Sequence, residues 1–215
     1  MKKIFLSIFS ILLTDQILKI YVKTHFELES GVSIFPFFWI FFVENPGMAY
    51  GIYLAPGYLG KILLSIFRII LVVFLSIFLY KKIKIKSSNY LIIPTTFILS
   101  GAMGNFLDSV LYGLLFDTGT IYDKGSHKWI SYAGVSKINF HLLSNKGYAN
   151  FMEGCVVDMF YFPIIDTYIP DWIPFWGGEH FHFFKPVFNL SDLVIFLGVV
   201  LLFIFKNKIK HVKIF

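Results

Sequence analysis

Asn105 and Asp108 stand three residues apart near the end of one apolar run, and Asn189 and Asp192 repeat that spacing where another begins. Residues i and i+3 share one face of a helix, so each pair presents an amide and a carboxylate side by side. A further acid, Asp158, lies between them in sequence, inside Val156-Val157-Asp158-Met159. Carboxylates sharing a poorly hydrated site cannot all ionise cheaply; one keeps its proton while its neighbour is charged, which yields a general acid and a general base. That is the arrangement of aspartic proteases. Structural roles compete with it. Asn189 and Asp192 suit the N-cap and third position of a helix. Asp158 taken alone suits a loop acid, Asn45 and Gly47 suit a turn, and Asp15 with Lys19, four residues on, suits an intramembrane ion pair. Asn105-x-x-Asp108 is harder to dismiss, because an acid at the outgoing end of a helix opposes the helix dipole. No Ser/His/Asp or His-Glu-x-x-His pattern competes, the six His are scattered, and His180-x-His182 is by itself a weak metal signal.

These acids sit in an apolar chain. Of 215 residues 57% are hydrophobic, 20% aromatic and 15% charged, against about 25% charged in soluble domains, so the protein belongs in a membrane. The net charge of +6 could suggest nucleic acid, but the lysines flank apolar runs: Lys2 and Lys3, Lys81, Lys82, Lys84 and Lys86, then Lys206, Lys208, Lys210 and Lys213. That distribution places both termini in the cytoplasm and excludes nucleic acid as a partner. The single Cys155 rules out an internal disulfide and reads as a small apolar residue. Apolar runs over residues 4–22, 58–80, 90–113 and 188–206 predict four spans, with 23–57 and 114–187 outside, in one domain over 1–215. The first run lacks the cleavage site of a signal peptide and is taken as retained. Phe35–Phe42 is too short to span, is broken by Pro36, and is expected to lie extended at the interface. Residues 114–150 show no trustworthy period, and 151–186 are expected to lie along the membrane surface. Arg68, the only arginine, falls mid-span, where a charge usually faces the protein interior.

At these residues the chain resembles the lipoprotein signal peptidase family (signal peptidase II). The matching segments, in order, are Asp15-x-x-x-Lys19, Asn45-Pro46-Gly47-Met48-Ala49-Tyr50, Gly101-Ala102-Met103-Gly104-Asn105-Phe106-Leu107-Asp108, Val156-Val157-Asp158 and Phe188-Asn189-Leu190-Ser191-Asp192. The resemblance implies a membrane all-α core of four transmembrane helices, with a small extracytoplasmic β-cradle that includes 35–42 and a long external loop. It implies an aspartic endopeptidase of the bacterial inner membrane, active at the outer face, that cleaves diacylglyceryl-modified prolipoproteins before the lipidated Cys. The implied catalytic pair is Asp158 and Asp192. Asn45, Gly47, Gly104, Asn105, Asp108, Asn189, Asp15 and Lys19 fall on substrate-binding or dyad-supporting positions. No metal or cofactor is implied; the partners are lipid-modified prolipoproteins and membrane lipid, and the enzyme is expected to be a monomer. Ser109 stands where the family usually has Arg, and Arg68 is expected to return that charge to Asp108 or another of the acids. Ser191 replaces a family Ala, and about fifty residues separate Asp108 from Asp158 where a short loop is usual, an insertion suited to a lid or recognition surface. The competing classes are an ion- or proton-coupled transporter using intramembrane acids, and a non-enzymatic lipid-binding scaffold.

Overall fold

Three long helices carry the apolar runs: α1 (Lys2–His25), α2 (Gly57–Lys84) and α3 (Asn89–Leu115), of 24, 28 and 27 residues. At about 1.5 Å per residue each exceeds the roughly 30 Å of a bilayer core, and all three are apolar enough to cross it. The computed structural model describes residues 1–47, 54–139, 147–163, 165–183 and 186–209, without the side chains of 165, 166 and 180–183. The Met48-Ala49-Tyr50 part of the second motif and the side chains of His180 and His182 therefore lie outside the described residues.

The helices are built inside out relative to a soluble bundle. On α1, Phe5, Phe9, Leu13, Ile17 and Tyr21 recur every fourth residue and are exposed, while Asp15, Lys19 and Lys23 are fully buried on the other face. On α2, Leu59, Leu63, Ile66, Ile70 and Val73 face outward, and Lys61 and Ser65 are buried. Lipid accepts the apolar stripe, and the polar stripe finds partners only inside the protein. α3 is central and packs against α1, α2 and α4 (Leu190–Ile204). Its contact with α4 is close because glycines face Ser191. A Cβ on Gly101 would stand 2.3 Å from the Ser191 carbonyl oxygen, and one on Gly104 would stand 2.0 Å from Ser191 Oγ.

α4 has only 15 residues, shorter than the apolar run from 188 to 206. Its start is pinned by Asn189, and the residues before it are drawn into a strand. That strand, β8 (Val187–Phe188), completes an antiparallel sheet of order β1-β2-β5-β8, with β1 Gly31–Phe35, β2 Phe38–Asn45 and β5 Val156–Tyr161. Pro36 and Phe37 form the link between β1 and β2, since Phe35 pairs with Phe38. The aromatic run is thus extended, and Pro36 sits where no ladder bond is needed. The two hairpins β3 (Ile121–Asp123) with β4 (Lys128–Ile130) and β6 (Ile165–Tyr168) with β7 (His180–Phe183) stand apart from this sheet. A last short helix, α5, covers Lys206–Ile209.

One expectation needs correction. Val156–Met159 does not lie along a surface: all four residues are buried, and their strand is an inner one of the sheet. Four successive buried residues lack the alternation that marks a strand, because both faces are covered. The 114–150 segment, in which no period is legible, carries the β3–β4 hairpin and a return of the chain in which Asn139 N donates to Leu115 O and Tyr148 N to Phe116 O. The two faces of β5 divide the labour. Val157 and Met159 join Phe42, Val22, Tyr112 and Phe116 in the main hydrophobic cluster. Asp158 projects from the other face, opposite Val43 of β2.

Candidate functional site

Asn189 is the hub. As N-cap of α4 it accepts from Asp192 N at 2.9 Å, and its own N–H donates to Asp192 Oδ2 at 3.3 Å, a complete capping box. Its amide nitrogen also reaches across the protein, donating to Asp158 Oδ1 at 2.7 Å and to Asn105 Oδ1 at 3.1 Å. Asn105 Nδ2 in turn donates to Asp192 Oδ1 at 2.7 Å. The capping role and the site role are therefore one arrangement. The cap fixes Asp192 in the first turn of α4, where the dipole favours an anion, and the side-chain amides join it to a carboxylate on β5. Asn45, at the end of β2, donates to Asp158 Oδ2 at 3.3 Å, while its Oδ1 accepts from Gly47 N at 2.9 Å, a local turn that aims the amide.

Beneath this pair lies an ionic layer. Lys19 Nζ is 2.8 Å from Asp15 Oδ2, 2.8 Å from Asp108 Oδ2 and 3.0 Å from Asn105 Oδ1, which occupies all three of its donor directions. Gln16 donates to Asp108 Oδ1 at 2.9 Å and accepts from Tyr112 Oη at 3.1 Å. Asp15 Oδ1 receives the Ser191 N–H at 2.9 Å, one of the free amides at the start of α4. Asp15 and Lys19 are thus a pair, as the spacing implies, but Asp108 completes a triad. The dipole argument for Asp108 is also corrected: α3 continues to Leu115, about two turns further, so the acid lies beyond the reach of the terminal dipole. The cation it meets is Lys19, at 2.8 Å.

Arg68 does not ion-pair with Asp108. It donates to Ser109 Oγ, the residue immediately after that acid, and Ser109 Oγ itself donates to Asn105 O at 3.0 Å. The small hydroxyl leaves room for a guanidinium arriving from α2. Gly104 serves the site through space: with no Cβ it admits Ser191 and the carboxylate of Asp15.

Burial and the charge of Asp192 push the Asp158 carboxyl up to about 8, against the opposing pull of Lys19 and the Asn189 and Asn45 amides. Near neutral pH Asp158 therefore holds a proton, beside an Asp192 carboxylate that accepts from Asn105 Nδ2 and from the Asn189 backbone N–H. A second buried pair, Lys23 with Glu44, lies on the far face of β2. Glu44 also accepts from Thr120 N at 2.6 Å, and Lys23 donates to Thr118 O at 3.1 Å, so the pair clamps the 114–150 segment to the sheet. Sequence reasoning missed Gln16, Lys23, Glu44, Lys61 and Tyr112. The signal for one was present: Asp15, Lys19 and Lys23 are spaced by four along an apolar helix, so all three share a face. Among the described residues no group of three His, Cys, Asp or Glu is arranged to hold a metal.

Fold and site together define a polytopic membrane protein whose apolar helices and covering sheet enclose a pair of amide-linked carboxylates. The family model for signal peptidase II matches residues 7–207. A lipoprotein signal peptidase of Porphyromonas gingivalis is 40% identical over 195 residues, covering 90% of this chain and 78% of its own. One of Amoebophilus asiaticus is 31% identical over 202 residues, covering 90% and 72%. A bacterial membrane enzyme solved by the in meso method at 2.3 Å shares the fold, with TM-score 0.55 at 20% identity over 99% of this chain and 92% of that one. The chain belongs to the signal peptidase II family.

Proposed function

We propose that this protein is a membrane aspartic endopeptidase that removes signal peptides from diacylglyceryl-modified prolipoproteins, cutting on the amino side of the lipidated Cys. The observation that carries the reading is the joining of Asp158 and Asp192, from a strand and a helix, by the single side chain of Asn189. In the reaction Asp192 is the base. It takes a proton from water as the water oxygen attacks the scissile carbonyl carbon, while Asp158 gives its proton to the carbonyl oxygen. The resulting gem-diol collapses as Asp192 passes the proton it took from water to the amide nitrogen, the C–N bond breaks, and a gem-diol hydroxyl returns its proton to Asp158. This releases a signal-peptide carboxylate and the α-amine of the lipidated Cys. Asn45, Asn105 and Asn189 keep both carboxylates aimed at one point throughout.

In this reading α1–α4 are four spans, with the lysines at both chain ends and between α2 and α3 in the cytoplasm. The paired carboxylates then lie at the outer face, where the four-stranded sheet forms a cradle for the extended peptide. The short α4 is accommodated by thinning of the bilayer beside it. The 114–150 segment, clamped through Glu44 and Lys23, stiffens the cradle from outside.

Cleavage of a diacylglyceryl-modified prolipoprotein by the purified protein in detergent tests the reading, with Asp158→Asn and Asp192→Asn beside the wild type. The expected result is cleavage by wild type alone, with both variants folded and at least 10³-fold slower. A folded variant with full activity would remove that residue from the pair, and an inactive wild type would remove the peptidase reading.

A further inference from the structure

α2 presents Lys61, Ser65 and Arg68 at i, i+4 and i+7, one polar stripe on an apolar helix. Lys61 is 1% exposed, and among the described residues its ammonium donates to a carbonyl, Asn45 O, at 3.5 Å. Ser65 Oγ bonds Met152 O at 2.7 Å and thereby docks the stripe on the segment leading into β5. Arg68, partly buried, donates to the neutral Ser109 Oγ. Among the described residues no carboxylate oxygen lies within 4.0 Å of either cation. A buried cation without an anion is costly, so its charge must be balanced at longer range. The acids of the site are Asp15, Asp108, Asp158 and Asp192, and the cations are Lys19, Lys61 and Arg68. Four acids against three cations reach neutrality when the acids together hold one proton. Asn45 links Lys61 to Asp158, its carbonyl meeting the ammonium and its amide the carboxyl. Ser109 links Arg68 to Asn105, which bonds Asp192.

We propose that Lys61 and Arg68 are positioning residues that fix the Asp158–Asp192 pair at a single shared proton, by supplying positive charge that no carboxylate neutralises directly. The proposal rests on the peptidase reading for its kinetic test but not for its charge balance. The charged side chains that the elements around the pair bring toward it are Asp15 and Lys19 from α1, Lys61 and Arg68 from α2, and Asp108 from α3. Of the cations, Lys19 has two carboxylates at 2.8 Å, whereas Lys61 and Arg68 have none within 4.0 Å among the described residues.

pH–rate profiles of prolipoprotein cleavage are the test, for wild type, Lys61→Met, Arg68→Gln, Lys61→Arg and Ser109→Ala. Loss of a cation makes each deprotonation of the pair harder. Both limbs of the bell should therefore move to higher pH in Lys61→Met and in Arg68→Gln, by about one unit. Lys61→Arg and Ser109→Ala, which keep the charge, should leave the limbs in place. A purely structural stripe predicts lower rates with unmoved limbs in all four variants, and that outcome overturns the proposal. Should Lys61→Met fail to fold, Arg68→Gln carries the same comparison. Infrared titration of the protonated-carboxyl band in ¹³C-aspartate protein supplies a readout without substrate. If wild type proves inactive, the peptidase reading fails, and a band whose midpoint is equal in wild type and Arg68→Gln would sink the charge balance as well.

Discussion

Two helices carry buried cations toward the same acids, and they treat them differently. On α1 both buried lysines meet carboxylate directly, Lys19 with Asp15 and Asp108 at 2.8 Å and Lys23 with Glu44. On α2 Lys61 and Arg68 end on a carbonyl and a hydroxyl. The α1 side is a neutralised foundation whose removal leaves uncompensated charge. The α2 side lends its charge at a distance, so its removal changes the protonation of the site more than the stability of the fold. A buried ion therefore reveals its role through what it touches, not through its burial.

The largest effect expected from this contrast is at Lys19. Lys19→Met strands Asp15 and Asp108 without a cation and should cost roughly 3–5 kcal/mol, enough to prevent recovery of folded protein in detergent. Thermal melts of purified variants measure it, and a Lys19→Met protein as stable as wild type would erase the distinction between the two helices.

Lys61→Met should lose less, on the order of 1–2 kcal/mol, because a single long contact to Asn45 O is given up and no carboxylate within bonding distance is abandoned. A loss equal to that of Lys19→Met would place both lysines in one class.

pH separates the two sides further. Asp158 is raised from 3.8 to about 8, so between those values the unfolded chain releases a proton that the folded one keeps. The fold of the wild type must then weaken relative to Asp158→Asn as pH rises from about 4 to about 8, and the gap must stay constant above that. Melting temperatures of both proteins across this range test the sign. A stability difference that stays flat across this range would mean that Asp158 is ionised throughout.

Ser191→Ala marks the small end. Ser191 Oγ is buried against Gly104 with no hydrogen-bond partner among the described residues, while the backbone N–H does the bonding to Asp15. Removing the hydroxyl should leave stability and cleavage unchanged within about 1 kcal/mol, or improve stability slightly. A tenfold loss of activity would show that Ser191 belongs to the working site.

The chain itself determined a good deal. Apolar length fixes α1, α2 and α3, because a bilayer sets a minimum run. The spacing by four of Asp15 and Lys19 and the cap at Asn189 are local, set within one turn of helix. The resemblance, read from short motifs, put the two acids on Asp158 and Asp192, and the fold draws both onto Asn189. What adjacency cannot encode is which buried charge meets which. Asn105 and Asn189 are 84 residues apart and Lys19 and Asn105 are 86 apart, so their bonds exist only once the helices pack. Packing gave Asp108 to Lys19 rather than to Arg68, sent Arg68 to Ser109, and put Val156–Met159 inside the sheet rather than on the membrane surface. In lipid a polar side chain cannot settle for water, so it takes the partner that close helix approach offers. At α3 and α4 that approach was granted by Gly101 and Gly104. Sequence marks the groups that must find partners; only the tertiary structure decides the pairing.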